Sequence, residues 1–592
     1  MAGLDDPVQA RRSRRRRRRL LWSLVLFAVL LGWGLLAARQ GLAAYRADRA
    51  GLDRVYSVAG SGSALVGKTG ALRAAASLRT ASADFAKAES HLASPLLAPL
   101  SLMPVVGRQL SSVAHLSRSA AQISTSGSSM ALVLATESER LSIPSQRQGA
   151  LSEIVASVDS TLAVARGVNL GPSQGLISPL GKKRSQFSAK RDELVQSLSR
   201  LAAATSAMAA LSSGSHHVLV LAASNAEMRM GSGSFLAAME VSLKNGIASV
   251  GPVVPTGSLS APSPVQGRSA TSLQRLWGFS HPATYLDSLG LDPSFPPNAA
   301  VASRIWSAAM GVPRPSTVLY MDASAFADLL ASSGPQSANG ITITGSNATQ
   351  YLMHQQYLGQ PPGGGAEEAT TNSVLGAVAK GLFARLSSGG NPVSTLGALA
   401  RAAGGRHLMV WSASPALEAD WARAGVSGQV GPSSLLLGMS NLGANKLDPY
   451  LRLTAHLLFH PVGNHTVGTV TVEVANLSSG HHPSLIQGPA PGLGLVAGQY
   501  LGLLELSMPG DATATKLSPR HVSRVIGREG RAVIAATEVS VLPGHKASAS
   551  FSFTVPYRSG RLYVLPSSRL PPSVWYYRNR RFIDASTSVV TW

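Results

Sequence analysis

HHVLVLAA (residues 216–223) runs directly into SNAEMRMGSGSF (224–235), and the architecture of the larger part of the chain can be inferred from this stretch. An unbroken apolar run of this length, followed by polar residues and glycines, predicts a buried strand. FLAAMEVSLKNGIASVGPVV (235–254) follows, and its Asn245-Gly246 dipeptide predicts a hairpin turn between two further strands. The segment therefore predicts the beginning of a sheet.

Alternating strand and helix patterns continue downstream of this segment. Strand-like STVLYMD (316–322) precedes helical ASAFADLLASSG (323–334), and strand-like HLMVWSA (407–413) precedes helical PALEADWARAG (415–425). Strands that alternate with helices in this way form a sheet covered by the helices. The sequence therefore predicts an α/β domain with a central sheet over residues 212–440.

The last part of the chain contains only strand and turn patterns. Apolar and small polar residues alternate in SASFSFTV (548–555), which is typical of a strand with one face in a core and the other in water. Several such segments are separated by Gly, Pro and Asn. This pattern predicts a C-terminal antiparallel β-sandwich at residues 441–592.

The N-terminal region predicts a membrane anchor. LLWSLVLFAVLLGWGLLAA (20–38) carries no charge, and as a helix it would be about 28 Å long, close to the hydrocarbon thickness of a bilayer. The arginines that precede it predict a cytoplasmic tail at 1–19 and an extracytoplasmic location for the bulk of the chain. A cleaved signal peptide is the alternative, but its apolar stretch is usually shorter. We therefore expect a single transmembrane helix in the cell membrane, followed by an extracytoplasmic helical stalk or bundle at 40–211.

Composition narrows the class of protein and of partner. The chain has 592 residues, of which 45% are hydrophobic and 14% charged, and this is not the composition of a disordered chain. It contains no cysteine, which excludes disulfides, thiolate metal sites and cysteine nucleophiles. Its formal net charge of +23 favours anionic partners. No nucleic acid is predicted, because the arginine run adjoins the predicted membrane helix and no basic–aromatic RNA motif occurs.

Two motifs suggest nucleotide chemistry but lack its structural context. GSALVGKT (62–69) fits the phosphate-loop pattern through Lys68, and NKLD (445–448) is similar to the guanine-reading string of GTPases. A phosphate loop requires a buried strand before it, whereas the segment before this loop is charged, so no nucleotide hydrolase is predicted. The adjacent histidine pairs at 216–217 and 481–482 would point to opposite faces of a strand. We therefore predict no metal site and no other cofactor.

The glycine-rich stretch after the first buried strand is the best candidate for a ligand site. It lies near the C-terminal end of that strand, where ligands bind in open α/β sheets. Its glycines would let backbone N–H groups approach an anion, and the Arg229 guanidinium could hold a phosphate with two parallel hydrogen bonds. Glu227 and Asn225 are further candidates. The alternative is an ion pair between Glu227 and Arg229 beside a glycine-rich turn.

The same stretch resembles a bacterial family known as domain of unknown function 4012, whose members look like N-x-x-E-L-R-P-T-G-G-F where this chain has SNAEMRMGSGSF. The resemblance continues through LDPSFPPNA and SNLGANKLDPYLRL to VLPGHKASASFSFTVP. It covers nearly everything beyond the predicted anchor. The family has no established activity, so the resemblance implies a shared fold and no particular reaction.

The resemblance adds three candidate ligand-binding residues. Asn445, Lys446 and Asp448 match the family pattern, so this string belongs to the family and not to a GTPase. The chain departs from the family pattern at three places: Ser232-Gly233 where the family has Gly-Gly, Ser294 where it often has Asp, and Ser316-Thr317 where it often has Asp-Gly. If the acidic residues at the last two places serve chemistry in relatives, this chain lacks them.

The predicted layout is similar to that of the LytR-CpsA-Psr transferases, which move envelope glycopolymers from a prenyl-pyrophosphate carrier to the cell wall. This similarity concerns architecture, which is a weak guide to function. The leading hypothesis is an envelope protein that binds or processes a phosphate-linked glycopolymer or its prenyl carrier, with Arg229 as the foremost ligand-binding residue. The alternative is a non-catalytic scaffold or interaction protein that holds other envelope proteins. Whether the chain is an enzyme stays open.

Overall fold

A computed structural model describes residues 7–60, 67–338, 340–358, 376–385, 392–488, 492–519 and 524–592 of the chain. These residues divide into two compact units. The helical unit comprises Met1–Glu137 and Glu153–Ser199, and the sheet unit comprises Ser138–Ser152 and Arg200–Trp592. The phosphate-loop string at 62–69 and the arginine-rich tail at 1–19 lie partly outside the described residues.

The helical unit is built from long helices over a slender core. Alanines 74, 75, 81 and 88 of the second helix are buried, and a Cβ atom at Gly51 of the first helix would lie 2.8 Å from the Phe85 ring. Small residues at such contacts let helix backbones approach closely. The unit contains α1 Pro7–Gly60, α2 Lys68–Leu92 and α3 Ala98–Ser101, and the greater part of α4 Pro104–Arg140, α5 Pro144–Gly167 and α6 Ser178–Leu211. The remaining residues of α4, α5 and α6 belong to the sheet unit.

The predicted transmembrane helix at 20–38 is wrong. These residues form part of the 54-residue helix α1, and none of the helices in the described part of the chain is both long and apolar enough to cross a bilayer. Within the predicted span, Val29, Leu35 and Leu36 are exposed, and two other residues contact the protein. The Trp33 indole N–H donates to the Leu96 carbonyl at 3.0 Å, and Ala37 is buried. The predicted fold class is corrected accordingly, to N-terminal helices followed by multi-stranded sheets.

The sheet unit contains most of the remaining elements. Its helices are α7 Arg268–Trp277, α8 Phe295–Met310, α9 Ala323–Ser333, α10 Ala348–Met353, α11 at 376–385, α12 Pro392–Gly404, α13 Pro415–Ala424 and α14 Ser484–Gln487. Its first strands are β1 Ser215–Arg229, β2 Ser232–Lys244, β3 Ile247–Pro255, β4 Thr317–Asp322, β5 Gln336–Ala338, β6 Ile341–Ile343, β7 Leu408–Ser412, β8 Ser434–Asn441, β9 Leu451–Val462 and β10 His465–Asn476. The others are β11 Tyr500–Met508, β12 Thr513–Ser518, β13 Arg524–Glu529, β14 Ala532–Val541, β15 Lys546–Val555, β16 Arg561–Val564, β17 Val574–Tyr577, β18 Arg580–Ile583 and β19 Ser588–Thr591.

A mixed five-stranded sheet, in the order β3-β2-β1-β4-β7, opens the sheet unit. Only β1 and β4 pair in parallel, whereas β3, β2 and β1 form an antiparallel meander. The predicted hairpin turn is confirmed, because Asn245 (φ 49°) and Gly246 (φ 76°) both adopt the positive φ angles that a type I′ turn requires. The carboxyl ends of β1 and β4 therefore meet at one edge of this mixed sheet.

Both faces of β1 are buried, which explains its unbroken apolar sequence. Val220 belongs to a core that includes Phe326 of α9. Leu221, the next residue, belongs to a second core with Trp277 of α7. Successive side chains of a strand point to opposite faces, so neither face of this strand could carry the polar residues of a solvated sheet.

Two six-stranded sheets form a sandwich. The first sandwich sheet has the order β13-β14-β11-β8-β16-β19, and the second has the order β12-β15-β10-β9-β17-β18. Alternation in β15 places Phe551 and Phe553 inside, where they share a core with Trp575. The first sandwich sheet includes β8, which begins at Ser434, before residue 441, where the sequence pattern predicted the sandwich to start.

A close backbone approach joins β8 to the turn between β1 and β2. A Cβ atom at Gly438 would collide with the Met230 carbonyl group, whose atoms belong to the backbone and cannot move like a flexible side chain. Glycine is therefore required at this position by lack of space.

We expect Gly438→Ala to lower the free energy of unfolding by about 1–3 kcal/mol, because the added methyl group forces β8 away from the β1–β2 turn. Urea denaturation of the full chain measures this change. Gly404→Ala is the control, since a Cβ atom at Gly404 meets no other atom within 4 Å. Equal stability of the two variants would contradict the close approach.

Candidate functional site

A bulge in β1 forms the centre of the candidate site. Ser224 pairs with Ser234 of β2, but the next pair is Met228 with Gly233, so Asn225, Ala226 and Glu227 have no partners in the ladder. Bulges of this kind redirect side chains and often lie beside functional sites. The bulge places two of the predicted residues, Asn225 and Glu227, among groups contributed by distant segments.

The glycines of the stretch are required by packing. A Cβ atom at Gly233 would lie 2.5 Å from the Ser224 carbonyl oxygen, and one at Gly231 would lie 2.9 Å from the Pro293 carbonyl oxygen. The Gly233 N–H donates to the Tyr320 hydroxyl at 2.7 Å. This backbone donor, which the sequence suggested for an anion, is thus used within the protein.

Glu227, Arg229 and Lys446 form an ion-pair cluster. The Lys446 ammonium contacts one Glu227 carboxylate oxygen, and an Arg229 guanidinium nitrogen lies 3.4 Å from the other. A second guanidinium nitrogen donates to the Asn441 carbonyl at 3.0 Å. Burial opposes ionisation of Glu227, but the charges of Lys446 and Arg229 outweigh it and hold the pKa of Glu227 below its usual value. These three charged groups therefore stabilise one another.

Asp448 lies at the centre of a fully buried network. Its carboxylate accepts from the Met228 N–H, from the Asn441 side-chain amide and from the Arg569 guanidinium, each at 3.0 Å. The Tyr500 hydroxyl donates to it at 3.3 Å. Burial raises the pKa of Asp448, and the positive charge of Arg569 opposes that rise. Met228 directly follows the three unpaired residues of the bulge.

Asn445 is also buried and bonded internally. Its side-chain oxygen accepts from the Asn441 amide at 3.0 Å, and its side-chain amide donates to the Gln499 carbonyl at 3.2 Å. The string from Asn445 to Asp448 therefore holds the turn before β9 against the bulge of β1. All six residues predicted from the sequence are brought into adjoining polar networks in the sheet unit.

Asn225 connects this region to a group that the sequence did not predict. Its side-chain amide donates to Asp322 at 2.7 Å and to the Ser568 carbonyl at 2.8 Å. Asp322 caps α9 by accepting from the N–H groups of residues 324 and 325. His407 Nδ1 lies 2.7 Å from the same carboxylate, and although burial lowers the pKa of His407, the Asp322 charge outweighs it and raises that pKa.

Asp322, His407 and Arg569 were missed for different reasons. Asp322 ends the strand STVLYMD just before a helix, and an acidic residue at that position is a capping signal. His407 begins the strand HLMVWSA and carries no local signal. Arg569 lies in a segment of Pro and Ser far downstream, and its role depends on a contact with Asp448 across 121 residues of sequence.

The arrangement can stabilise the fold more readily than it can hold a free anion. Arg229, Lys446 and Arg569 each lie beside a carboxylate. Asp287 is a further carboxyl group near Arg229, and burial raises its pKa. Among the residues that the structure describes, no group of three or more acidic or histidine side chains is arranged to hold a metal ion. The positive charges are therefore largely compensated by neighbours.

Residues 213–357 match the family model described as a protein of unknown function, DUF4012, and this match confirms the predicted family resemblance for this segment. The matched segment contains β1 to β4 with Asn225, Glu227 and Arg229, and it ends before Lys446. No curated protein shows significant similarity to the chain. The solved structure of the Lin1025 protein from Listeria innocua is similar over 36% of this chain and 79% of its own, at 11% identity and a TM-score of 0.17. A score this low carries no argument about fold or function.

We expect Arg569→Ala to lower the free energy of unfolding by about 3–5 kcal/mol, because it leaves the Asp448 carboxylate buried without a counter-charge. The exposed pair of Arg401 and Asp328 has the same nitrogen–oxygen distance of 3.0 Å and serves as the control. Arg401→Ala should cost less than about 1 kcal/mol, since water screens that pair. Urea denaturation of both variants measures the difference, and similar losses would refute a structural role for the buried pair.

Glu505 of β11 should make stability depend on pH. It is fully buried, the Ser440 hydroxyl donates to it, and burial raises its pKa to about 8. Because this pKa is raised from 4.5, the stability contributed by the neutral carboxyl is complete below about pH 4.5 and is lost as pH rises through about 8.

As pH rises from 5 to 8, the free energy of unfolding should therefore fall less for Glu505→Gln than for the wild type. The difference between the two should be up to about 1.4 kcal/mol for each pH unit. Urea denaturation at pH 5, 6.5 and 8 measures this difference. Glu473→Gln, at an exposed carboxylate of β10, is the control and should follow the wild-type profile. Parallel profiles for the wild type and Glu505→Gln would show that Glu505 is already ionised at pH 5.

Proposed function

We propose that this chain, which carries a DUF4012 segment at residues 213–357, is a non-catalytic interaction protein. In this proposal the polar networks around the β1 bulge serve the fold, and partners bind elsewhere on the sheet unit. The observation that carries the proposal is the internal bonding of the candidate residues. Their charged groups pair with one another or with backbone groups of the same unit.

Arg229 illustrates the point. A phosphate site needs donors that aim at a shared open position. Two guanidinium nitrogens of Arg229 instead face the Asn441 carbonyl and the Glu227 carboxylate. A phosphate that displaced Glu227 from Arg229 would also lie close to that carboxylate, which repels it.

The positions of the bonded residues in the sequence support the same conclusion. The networks join β1 to the turn before β9 and to Ser568 and Arg569 near the C-terminus. These contacts connect the mixed sheet to the sandwich. Such a role explains why buried charges occur here without any need for a substrate.

Ligand binding at Arg229 is the second candidate, and one observation favours it. The side chains of Arg229 and Lys446 keep 15% and 18% of their exposure, so solvent reaches part of this cluster. In that case the ligand would be the phosphate-linked glycopolymer or prenyl carrier expected from the sequence. The predicted location in the cell envelope stays a prediction.

The two candidates differ in the effect of Arg229→Met on bound material. The full chain is purified from its own host as wild type and as Arg229→Met, and bound phosphate is measured by mass spectrometry and phosphorus NMR. We expect no phosphate species that depends on Arg229, together with a loss of about 1–3 kcal/mol in unfolding free energy from the unpaired neighbours. Arg401→Met is the control for an exposed arginine. A phosphate-bearing molecule that is present in the wild type and absent from the folded variant would overturn the proposal.

A further inference from the structure

One row of side chains crosses the whole second sandwich sheet. The pairing register aligns neighbouring residues of all six strands, and the row reads Ser518, Ser550, Thr471, His456, Tyr576 and Arg581. We call it the transverse row. Its members are exposed or half-buried, whereas the residues that alternate with them along the strands, such as Phe551 and Trp575, lie in the core. The transverse row therefore lies on the outer face of the sandwich.

The transverse row combines hydroxyl groups with a pair of stacked rings. The hydroxyls of Thr471 and Ser550 lie 3.0 Å apart. The rings of His456 and Tyr576 lie 4.9 Å apart at an interplanar angle of 9°. Tyr576 is 37% exposed to solvent, so an edge or face of the ring pair is open to a ligand. Hydroxyl donors and acceptors next to an open aromatic surface suit a polyhydroxylated molecule.

The charge around the transverse row is positive. Glu473 is the single acidic residue in the six strands of this sheet, and its carboxylate pairs with Lys546 at 2.9 Å. Within the described part of the chain, Arg581 and Lys516 have no carboxylate partner, and Arg452 bonds only to backbone carbonyls. Uncompensated cations beside hydroxyls favour a ligand that carries negative charge.

We propose that the transverse row binds one chain of an anionic polysaccharide, which lies across the strands. This inference rests on the proposed interaction function and names its partner class. Neighbouring strands lie about 4.8 Å apart, so six positions extend over roughly 24 Å, which suits a run of several sugar units. Tyr576 packs against the apolar face of one sugar, the hydroxyls bond to its neighbours, and Arg581 binds a carboxylate or phosphate group.

The pattern fits this ligand better than other polyanions. A single-stranded nucleic acid needs aromatic platforms for successive bases, and the transverse row offers one stacked pair, at the fourth and fifth of its six positions. An acidic peptide would bind through the cations and gain little from the hydroxyls of Ser518, Ser550 and Thr471. A sugar chain, in contrast, would use these hydroxyls as well as the cations.

Isothermal titration of the full chain with an alginate hexasaccharide tests the proposal, because alginate carries a carboxylate on every sugar. We expect binding that Tyr576→Ala weakens by about tenfold and Arg581→Ala by about threefold. Neutral maltohexaose should bind much more weakly than alginate. Polyglutamate and single-stranded DNA of similar charge are titrated in parallel.

The first sandwich sheet supplies matched controls. Tyr563 of β16 keeps 38% of its exposure, close to the 37% of Tyr576, and Arg561 of β16 is exposed like Arg581. Tyr563→Ala and Arg561→Ala should leave alginate binding unchanged. Equal losses in both sheets, equally tight binding of polyglutamate or DNA, or no alginate binding would each overturn the proposal. The proposed interaction function is tested separately, by comparing the phosphate-bearing material bound to the wild type with that bound to Arg229→Met.

Discussion

The buried pair of Asp448 and Arg569 is the contact on which the arrangement of the sheet unit depends. The Asp448 carboxylate also accepts a hydrogen bond from the N–H of Met228, the residue at which β1 pairs with β2 again after the bulge. Three segments that are far apart in sequence are thereby fixed at one point. A buried donor or carboxylate without a partner costs more than most single contacts contribute, so these segments can adopt few other arrangements. The bulge, the turn before β9 and the C-terminal segment constrain one another.

The apolar cores alone would not impose this arrangement. One core extends from Val220 of the mixed sheet to Phe551 of the sandwich, and apolar contacts of this kind are tolerant of exchange and of small shifts. Hydrogen bonds to Asp448 tolerate no such shift, because distance and angle are both restricted. We infer that the cores supply most of the stability, while the polar networks determine which strand positions meet. Gly438 adds a steric limit, since only a residue without a side chain fits against Met230.

Local features were predictable from the sequence, and contacts between distant segments were not. The hairpin at Asn245-Gly246 was predictable because two adjacent residues determine its turn, and β1 because its apolar run is continuous. Asn445, Lys446 and Asp448 were found through a family resemblance, without knowledge of what they contact. Arg569 could not be assigned, since its partner lies 121 residues away. The membrane helix was predicted from the length and lack of charge of residues 20–38 alone, whereas this stretch is part of the longer helix α1, in which Trp33 bonds to Leu96 of the helical unit.

The glycine-rich stretch shows how packing can imitate a binding motif. Glycines followed by a strand suggested backbone donors for an anion, yet Gly233 is required by the closeness of the Ser224 carbonyl, and its N–H bonds to Tyr320. A motif whose residues are all explained by steric and hydrogen-bonding demands of the fold gives no independent evidence for a ligand. Evidence of that kind comes from side chains whose exposure and charge the fold does not require. Tyr576 and Arg581 meet this criterion, because neither contributes to a core or to an ion pair within the described part of the chain.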